Sequence, residues 1–241
     1  MAVNKTSKAK PSWMKKGAEA KDALVKEEAQ VEQRQSEQNK LFRFWMPNNS
    51  QTAITFLDGD LDGDGVLDSL LFNEHNVFMN GNWRNWFVCT KDEEPCPICE
   101  GGSNPALVGV FTIIDHTEWT GKGANGKLHK DERKLFVAKR NTLKQLQMIA
   151  AKRGGLAGCT FDVMRSGDNS PGCGSVFDFT EKLDMPTVIK QYPDAKDGVA
   201  DYGHEISYKT ADELRALGFG SMPIGTEPPT QDQATNYDGD L

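Results

Sequence analysis

The chain has 241 residues, of which 37% are hydrophobic, and it carries a formal net charge of -7. With a mean hydropathy of -0.58, this composition predicts a folded core with polar extensions and argues against a uniformly basic DNA coat. No apolar run is long enough to span a membrane, and the polar N-terminus lacks the apolar segment of a signal peptide. We therefore expect an intracellular protein without membrane contacts.

Residues 1–40 are rich in Lys, Glu, Gln and Ala and poor in aromatic residues. Their composition favours helix, but the apolar face is thin and consists of Ala23, Leu24 and Val31. We therefore expect an N-terminal arm that is flexible or marginally helical.

Strand-like segments separated by turn signals follow in close succession. They are KLFRFWM, TAITFLD, VLDSLLFNEHNVFM, NWRNWFVC, LVGVFTIIDHTEW, RKLFVAKR and, after one helix, CTFDVMRSG. That helix, NTLKQLQMIAAKR, has Asn141 as its expected N-cap and ends at Gly154. The pattern predicts a mostly β fold with one or two short helices, an OB-fold-like Greek-key barrel over residues 41–182. Sandwiches and SH3-like barrels give similar patterns.

The C-terminal part of the chain is acidic and only patchily apolar. Residues 183–222 predict a peripheral segment with one short helix, TADELRALG, for which Thr210 is the expected N-cap. Residues 223–241 have no core-forming pattern, so we expect a disordered acidic tail.

Three of the five cysteines lie in the stretch CTKDEEPCPICEGG, from Cys89 to Gly102. Cys96 and Cys99 form a CxxC turn that lets two thiolates face one ion, and Cys89 lies seven positions upstream of Cys96. Clustered cysteines in a reducing compartment indicate metal ligands before disulfides. The spacing predicts an inserted zinc-binding loop that lacks one of the four ligands that zinc requires.

His75 is the best candidate for the fourth ligand, since a hairpin around Asn80-Gly81 would bring it near Cys89. His116 is the main alternative, and Cys159 and Cys173 are weaker ones. Three thiolates and one imidazole would form a closed structural site with no open position for chemistry.

The string DLDGDG, which starts at Asp60, matches the opening of a calcium-binding EF-hand loop. The closing Glu of that loop is absent, because its position is occupied by Leu71. We therefore interpret the acidic run as a turn between two strands.

Charge is distributed unevenly along the chain. Residues 122–153 contain ten basic residues and two acidic ones, whereas residues 154–241 contain six basic and fifteen acidic residues. A basic strand and helix can follow a phosphate backbone. The candidate backbone contacts are Arg133, Lys134, Lys139, Arg140, Lys144 and Lys152.

Aromatic residues are also clustered, and in alternating strands some of each cluster must face outward. An exposed ring can stack on a base with little sequence preference. The candidate stacking rings are Trp45, Trp83, Trp86, Trp119 and Phe136, whereas Phe42 and Phe44 share a face and are expected in the core.

The stretches NWFVCTKDEEPCPICEGG and KLFVAKRNTLKQL, with LFRFWM, ITFLDGD, AAKRGGLAG and FDVMRSGD, resemble phage replication proteins that bind single-stranded DNA. The similarity covers about residues 40–170. A more distant similarity is to the zinc-containing single-stranded-DNA-binding proteins of T-even phages. Their zinc site has the order His, Cys, Cys-x-x-Cys, which His75, Cys89, Cys96 and Cys99 follow.

The resemblance implies an OB-fold with a structural Zn²⁺ that binds single-stranded DNA during phage replication, recombination or repair. It further implies self-association on DNA through the N-terminal arm and contact with phage replication proteins through the acidic tail. The expected location is the cytoplasm of the infected bacterial host, and no catalytic residue is expected.

Two other function classes remain open. A metal-dependent nuclease could use Asp115, His116, Glu118 and His129 with the carboxylates of DGDLDGDG, residues 58–65, although such an enzyme needs carboxylates that converge on a metal with an open position. A zinc-containing adaptor or transcription-associated protein is the third class.

Overall fold

The structure is a computed structural model that describes residues 14–79, 81–120, 126, 128–167 and 169–220. The chain divides into two compact units, Met1–Lys40 and Leu41–Leu241. The tail expected at residues 223–241 lies outside the described residues.

The described part of the first unit is dominated by one helix, α1 (Ala18–Gln38). Over residues 18–32 its side chains are mostly exposed, including those of Leu24 and Val31. The helical alternative for the N-terminal arm is therefore confirmed over this range. None of the helices in the described ranges is long and apolar enough to cross a membrane.

The second unit is built on one antiparallel sheet of seven strands. They are β1 (Ser50–Phe56), β2 (Leu70–Met79), β3 (Asn82–Val88), β4 (Ala106–Asp115), β7 (Glu132–Lys139), β8 (Cys159–Arg165) and β9 (Val176–Lys182). The order is β3-β2-β4-β1-β8-β9, and β7 pairs along the other edge of β4. A separate small hairpin is formed by β5 (Trp119–Thr120) and β6 (Leu128–His129). The mostly β prediction is confirmed, and β9 is a strand that the sequence pattern did not predict.

The described residues of this unit contain more helices than the one or two that were predicted. They are α2 (Pro97–Glu100), α3 (Arg140–Arg153), α4 (Met185–Gln191), α5 (Tyr202–Glu205) and α6 (Ala211–Ala216), with 3₁₀ turns at Thr90–Asp92 and Pro193–Asp197. Most of them lie in residues 183–220, where only α6 was expected. Its N-cap is Thr210, as predicted, and Glu213 completes a capping box.

The sheet curls around an aromatic core. The ring of Phe136 on β7 lies 6.0 Å from that of Phe177, the second residue of β9. These strands are four positions apart in the order β7-β4-β1-β8-β9, and in a flat sheet they would lie about 19 Å apart. Their contact therefore requires strong curvature, and the rings of Phe56, Phe111 and Phe161 fill the enclosed space.

A closed barrel is nevertheless not confirmed, because the ladder stays open between β7 and β9. The predicted strand KLFRFWM occupies this gap but forms only one isolated parallel bridge, between Arg43 and Leu135. Beyond the bridge, Met46 N–H donates to the Gly172 carbonyl at 2.8 Å. The segment between β7 and β9 is thus held by a few isolated hydrogen bonds, whereas a closed barrel would have a full ladder there.

Helix α3 begins earlier than predicted, because β7 continues directly into it. Lys139 is both the last residue of β7 and the N-cap of the helix, and it provides no side-chain cap, so Asn141 lies inside the first turn. The predicted end is confirmed at Gly154, which has a φ of 67°. Leu146 and Ala150 are fully buried against the sheet, as the helical periodicity indicated.

A buried polar network attaches α5 to the sheet. The Tyr202 hydroxyl donates to Asp58 Oδ2, and the Thr112 N–H donates to Asp58 Oδ1 at 3.1 Å. Burial raises the pKa of Asp58 to about 6, although these hydrogen bonds oppose the rise. Ionised Asp58 therefore weakens the folded state relative to the protonated form.

This network predicts a pH dependence of stability. The folded pKa of Asp58 lies above its unfolded value of about 3.9. The extra folding stability that protonated Asp58 provides is therefore complete below pH 4 and is lost as the pH rises through about 6. Asp58→Asn keeps an oxygen acceptor for Thr112 and should remove this component, which is on the order of 1–3 kcal/mol. Urea unfolding of both proteins at pH 5 to 7.5 tests it. Parallel stability curves would show that Asp58 does not titrate in this range.

Candidate metal centre and nucleic-acid interface

The β2–β3 hairpin brings the first two cluster residues together. His75 lies opposite Phe87 in the ladder, and the Cys89 N–H donates to the Asn73 carbonyl at 2.8 Å, which extends the pairing by two residues. His75 and Cys89 are therefore diagonal neighbours on one face of the hairpin. The sequence pattern predicted this approach from the Asn80-Gly81 turn.

The remaining two ligands come from the loop after β3, residues 89–103, which we call the ligand loop. Cys96 is the N-cap of α2, and Pro97 occupies the first helical position, which suits its fixed φ. Cys99 follows within the same helical turn, so its side chain lies beside that of Cys96. Gly102, at a φ of 88°, then lets the chain turn toward β4.

The four ligand atoms converge. The Sγ atoms of Cys89 and Cys99 are 3.6 Å apart, and His75 Nε2 lies 3.5 Å from the Sγ atoms of both Cys96 and Cys99. All four atoms lie within 4.8 Å of one another. A tetrahedron with Zn–S of about 2.3 Å and Zn–N of about 2.0 Å has edges of roughly 3.5–3.8 Å. The three separations of 3.5 and 3.6 Å fit that geometry.

The environment suits a bound cation. Burial lowers the pKa of His75 to about 4, so its imidazole is neutral at physiological pH. Burial, together with the neighbouring thiols, raises the pKa of Cys99 to about 12, because burial disfavours a thiolate and adjacent thiolates repel each other. A divalent cation would offset that repulsion. His75 Nδ1 lies 3.2 Å from the Ser103 hydroxyl, which fixes the orientation of the ring.

These residues can hold a metal ion such as zinc through four protein ligands. With all four positions of a tetrahedron filled by protein atoms, the centre would be structural, because a catalytic zinc site keeps one position for water or substrate.

The alternative ligands lie elsewhere. His116 Nε2 is 2.8 Å from the Thr55 hydroxyl, and its Nδ1 is 2.5 Å from Asp131. Cys159 and Cys173 are buried in the main core. His75, and not one of these residues, therefore completes the cluster.

The residues considered for a nuclease do not converge. Asp115 is buried and pairs with Lys134 at 2.7 Å, whereas His129 pairs with Glu132 at 2.7 Å. In the described ranges, no second group of three metal-ligating side chains is found. The acidic run after Asp60 forms a turn in which Asp62 Oδ1 accepts the N–H groups of Asp64 and Val66.

Several predicted DNA contacts are not available at the surface. Phe136 is a wrong prediction, because its ring is 0% exposed and pairs across the sheet with Phe111 in the core. Lys134 is mostly buried and neutralises Asp115, and Arg133 donates to the Gly198 carbonyl at 3.0 Å. Trp86 is half-buried, and the Arg43 guanidinium covers one face of its ring at 4.2 Å, so the other face keeps it among the candidate stacking rings. These four side chains already have partners within the protein.

Four of the predicted contacts lie near one another, together with Arg165, which the sequence did not indicate. Trp45 is 60% exposed, lies beside Gly172, and has the Arg165 guanidinium 5.6 Å from its ring centroid. The thiol of Cys173, the residue after Gly172, is hydrogen-bonded to the Thr142 hydroxyl in the first turn of α3. The start of α3 is therefore close to the segment that Trp45 contacts. We name this group the Trp45 surface, and its members are Trp45, Lys139, Arg140, Lys144 and Arg165.

Arg165 donates to the Ser170 and Met46 carbonyls, whereas the other three cations of the Trp45 surface are available. Lys139, Arg140 and Lys144 are exposed, and the structure gives none of them an ion-pair partner among the described residues. Arg140 and Lys144 are four residues apart in α3, so their side chains lie on one face of the helix. Lys152 is also exposed but lies three turns further along α3.

A second exposed ring is held rigidly at the other end of β7. Trp119 is 41% exposed, and one face of its ring stacks on His129 at 3.9 Å and 11°. Glu132 fixes both rings, since it accepts from Trp119 Nε1 at 3.0 Å and lies 2.7 Å from His129 Nδ1. The ring of Trp119 is thus oriented by two side chains while the residue stays 41% exposed.

Sequence reasoning missed some exposed rings and their supports. Phe42 is 79% exposed although a core position was expected, because the segment around Arg43 is not a regular strand. Phe78 is exposed and packs on Trp83 at 5.4 Å near the tip of the β2–β3 hairpin. The sequence does indicate that Phe78 is exposed, because neighbouring residues of a strand face opposite sides and Val77 is apolar and suited to the core.

Comparisons with known proteins add nothing to this picture: no family model matches the chain, and no curated protein matches it.

The geometry predicts that purified protein carries about one zinc per chain, measured by elemental analysis. Cys96→Ser and His75→Ala should each lose the metal and lower the melting temperature, because each removes one of four ligands. Cys173→Ala is the matched control, since it removes a buried thiol outside the cluster and should keep the metal. Full zinc retention in His75→Ala would exclude His75 as a ligand.

Proposed function

We propose that this protein binds single-stranded DNA without sequence preference and that its Cys₃His cluster holds a structural zinc. The observation that carries the proposal is the Trp45 surface, where an exposed aromatic ring lies near the exposed cations Lys139, Arg140 and Lys144, for which the described residues contain no ion-pair partner. A base can stack on the ring while neighbouring cations neutralise phosphates. Each stacked base is worth about 1–3 kcal/mol and requires no particular sequence.

The Trp119 platform supports a single-stranded target. Stacking on its exposed ring needs a base that is free of its neighbours, which a duplex does not offer. Glu132 and His129 hold the ring before binding, so little side-chain entropy is lost on contact. The strand β7, which separates this platform from Lys139, has eight residues and spans about 26 Å. We propose that one strand of DNA can contact both rings.

The curvature of the sheet supports an OB-like fold. The sheet rolls up until the edges β7 and β9 face each other across the segment that contains Arg43. OB-folds are partly open five-stranded barrels that bind oligonucleotides on one side of the barrel. The strands β1, β4, β7, β8 and β9 would form that barrel here, and the β2–β3 hairpin with the ligand loop would be an addition to it.

The biological setting follows from the resemblance described above and is proposed on that basis. The protein would act in phage DNA replication, recombination or repair, in the cytoplasm of the infected bacterial host. Its acidic C-terminal sequence would contact phage replication proteins, and its N-terminal arm would support self-association on DNA.

Stacking is tested at Trp45. Trp45→Ala should weaken binding of a poly(dT) oligonucleotide by about 5- to 150-fold, the equivalent of about 1–3 kcal/mol, measured by fluorescence anisotropy of the labelled oligonucleotide. Trp45→Phe keeps an aromatic face and should retain most of the affinity. Equal loss in both variants would indicate that the indole contributes to folding and not to stacking.

Backbone contact is tested by salt dependence. Lys139→Glu with Arg140→Glu should flatten the plot of log affinity against log salt by about 1.4, because each phosphate contact on a single strand contributes about 0.7. The matched control reverses Lys190 and Lys196, two exposed lysines in the segment after β9, and should leave the slope unchanged. Equal slopes for the two double variants would contradict a role for the Trp45 surface.

The same labelled oligonucleotide distinguishes DNA binding from the nuclease alternative. Labelled single strands incubated with the protein and magnesium should remain intact while bound. Magnesium-dependent cleavage that Asp115→Asn abolishes would favour the enzyme instead.

A further inference from the structure

We propose that the metal centre controls docking of the C-terminal segment, residues 208–220, so that loss of the metal releases this segment while the main sheet stays folded. The inference rests on the metal part of the proposed function and not on DNA binding.

The apolar contacts of the segment are made with the metal centre. Leu214 of α6 is fully buried, and the Phe219 ring lies 5.3 Å from that of Phe87, which is opposite His75 in the hairpin. Both residues belong to a small core with Ile98, the residue between the two cysteines of the CxxC turn. This core is separate from the main core inside the curled sheet.

The polar contacts also go to the ligand loop. The Ala211 N–H donates to Glu94 Oε1 at 2.7 Å, and the Tyr208 hydroxyl donates to Glu93 Oε2 at 2.9 Å. Arg215 lies 3.7 Å from Glu100. All three glutamates lie between Cys89 and Gly101, so the loop provides both the ligands and the anchors of the segment.

The shape of the ligand loop depends on its four ligands. Its regular structure is limited to one 3₁₀ turn, Thr90–Asp92, and the single turn of α2. The hydrogen bonds of this loop therefore do not by themselves fix Cys96 and Cys99 beside His75 and Cys89, and a bound metal would join all four. Without the metal, the loop would therefore lose the arrangement that places Ile98 and the glutamates against α6. Coupling of this kind is reciprocal, so an undocked α6 should also weaken metal binding.

Limited trypsin digestion of the full-length zinc-loaded protein tests the release. Lys209 and Arg215 lie in the segment, whereas Lys190 and Lys196 lie in elements that pack on the outer face of the main sheet. Extraction of zinc with a strong chelator should speed cleavage after Lys209 and Arg215 by about tenfold or more, since cleavage follows the open population. Cleavage after Lys190 and Lys196 should not change, and re-adding zinc should restore protection.

A pair of variants tests the reverse direction. Leu214→Ala and Val188→Ala each shorten a fully buried side chain on a short helix, but only Leu214 belongs to the core beside the metal centre. Leu214→Ala should speed transfer of zinc to a chelating dye several-fold, and Val188→Ala should leave it near the wild-type rate. Equal transfer rates in the two variants would overturn the proposal.

Zinc content measured on the same samples separates the possible failures. Protein that contains no zinc as purified and takes up none would contradict the metal centre itself, and the inference with it. Protein that loses zinc to the chelator while Lys209 and Arg215 remain protected would contradict the coupling alone.

Discussion

The structure around the ligand loop depends on one constraint, the convergence of four side chains within 4.8 Å. Two of them lie at the end of the β2–β3 hairpin and two lie in the short turn of α2. A loop with so little regular structure cannot keep that arrangement by packing alone. A structural zinc contributes on the order of 10–16 kcal/mol of apparent binding free energy, which is enough to order the loop and the elements that rest on it.

The main core has a different basis. Its stability comes from rings on β1, β4, β7 and β8 that interlock inside the curled sheet, where Phe56 contacts three other phenylalanines. No ligand of the metal cluster belongs to this core. The two parts can therefore open independently, as expected when separate clusters stabilise separate regions of one domain. The exposed rings and cations of the Trp45 surface are positioned by the main core, so they do not require the metal.

The sequence predicted best what depends on local spacing. The cysteine cluster is local, and His75 was found because one hairpin connects it to Cys89. The face of an aromatic residue depends instead on register between distant strands. Phe136 points inward because it lies opposite Phe111, whereas Phe42 is exposed because its segment has only one bridge to the sheet. Neither pairing leaves a signal within the segment itself. The start of α3 was misplaced for a related reason, since no turn residue separates it from β7.

The formal net charge does not predict the charge of the Trp45 surface, because it counts groups that already pair with one another. Lys134 and Lys139 lie on the same strand, yet Lys134 neutralises buried Asp115, while Lys139 has no ion-pair partner in the described residues. Many of the carboxylates are likewise committed: Glu132 holds an aromatic platform, and Glu93 and Glu94 anchor the C-terminal segment. A chain with a formal charge of -7 can thus present a cationic surface, because screening confines each unpaired charge to its neighbourhood of about 10 Å. The local excess of Lys139, Arg140 and Lys144 near Trp45, and not the formal net charge, therefore sets the sign of the charge at this surface.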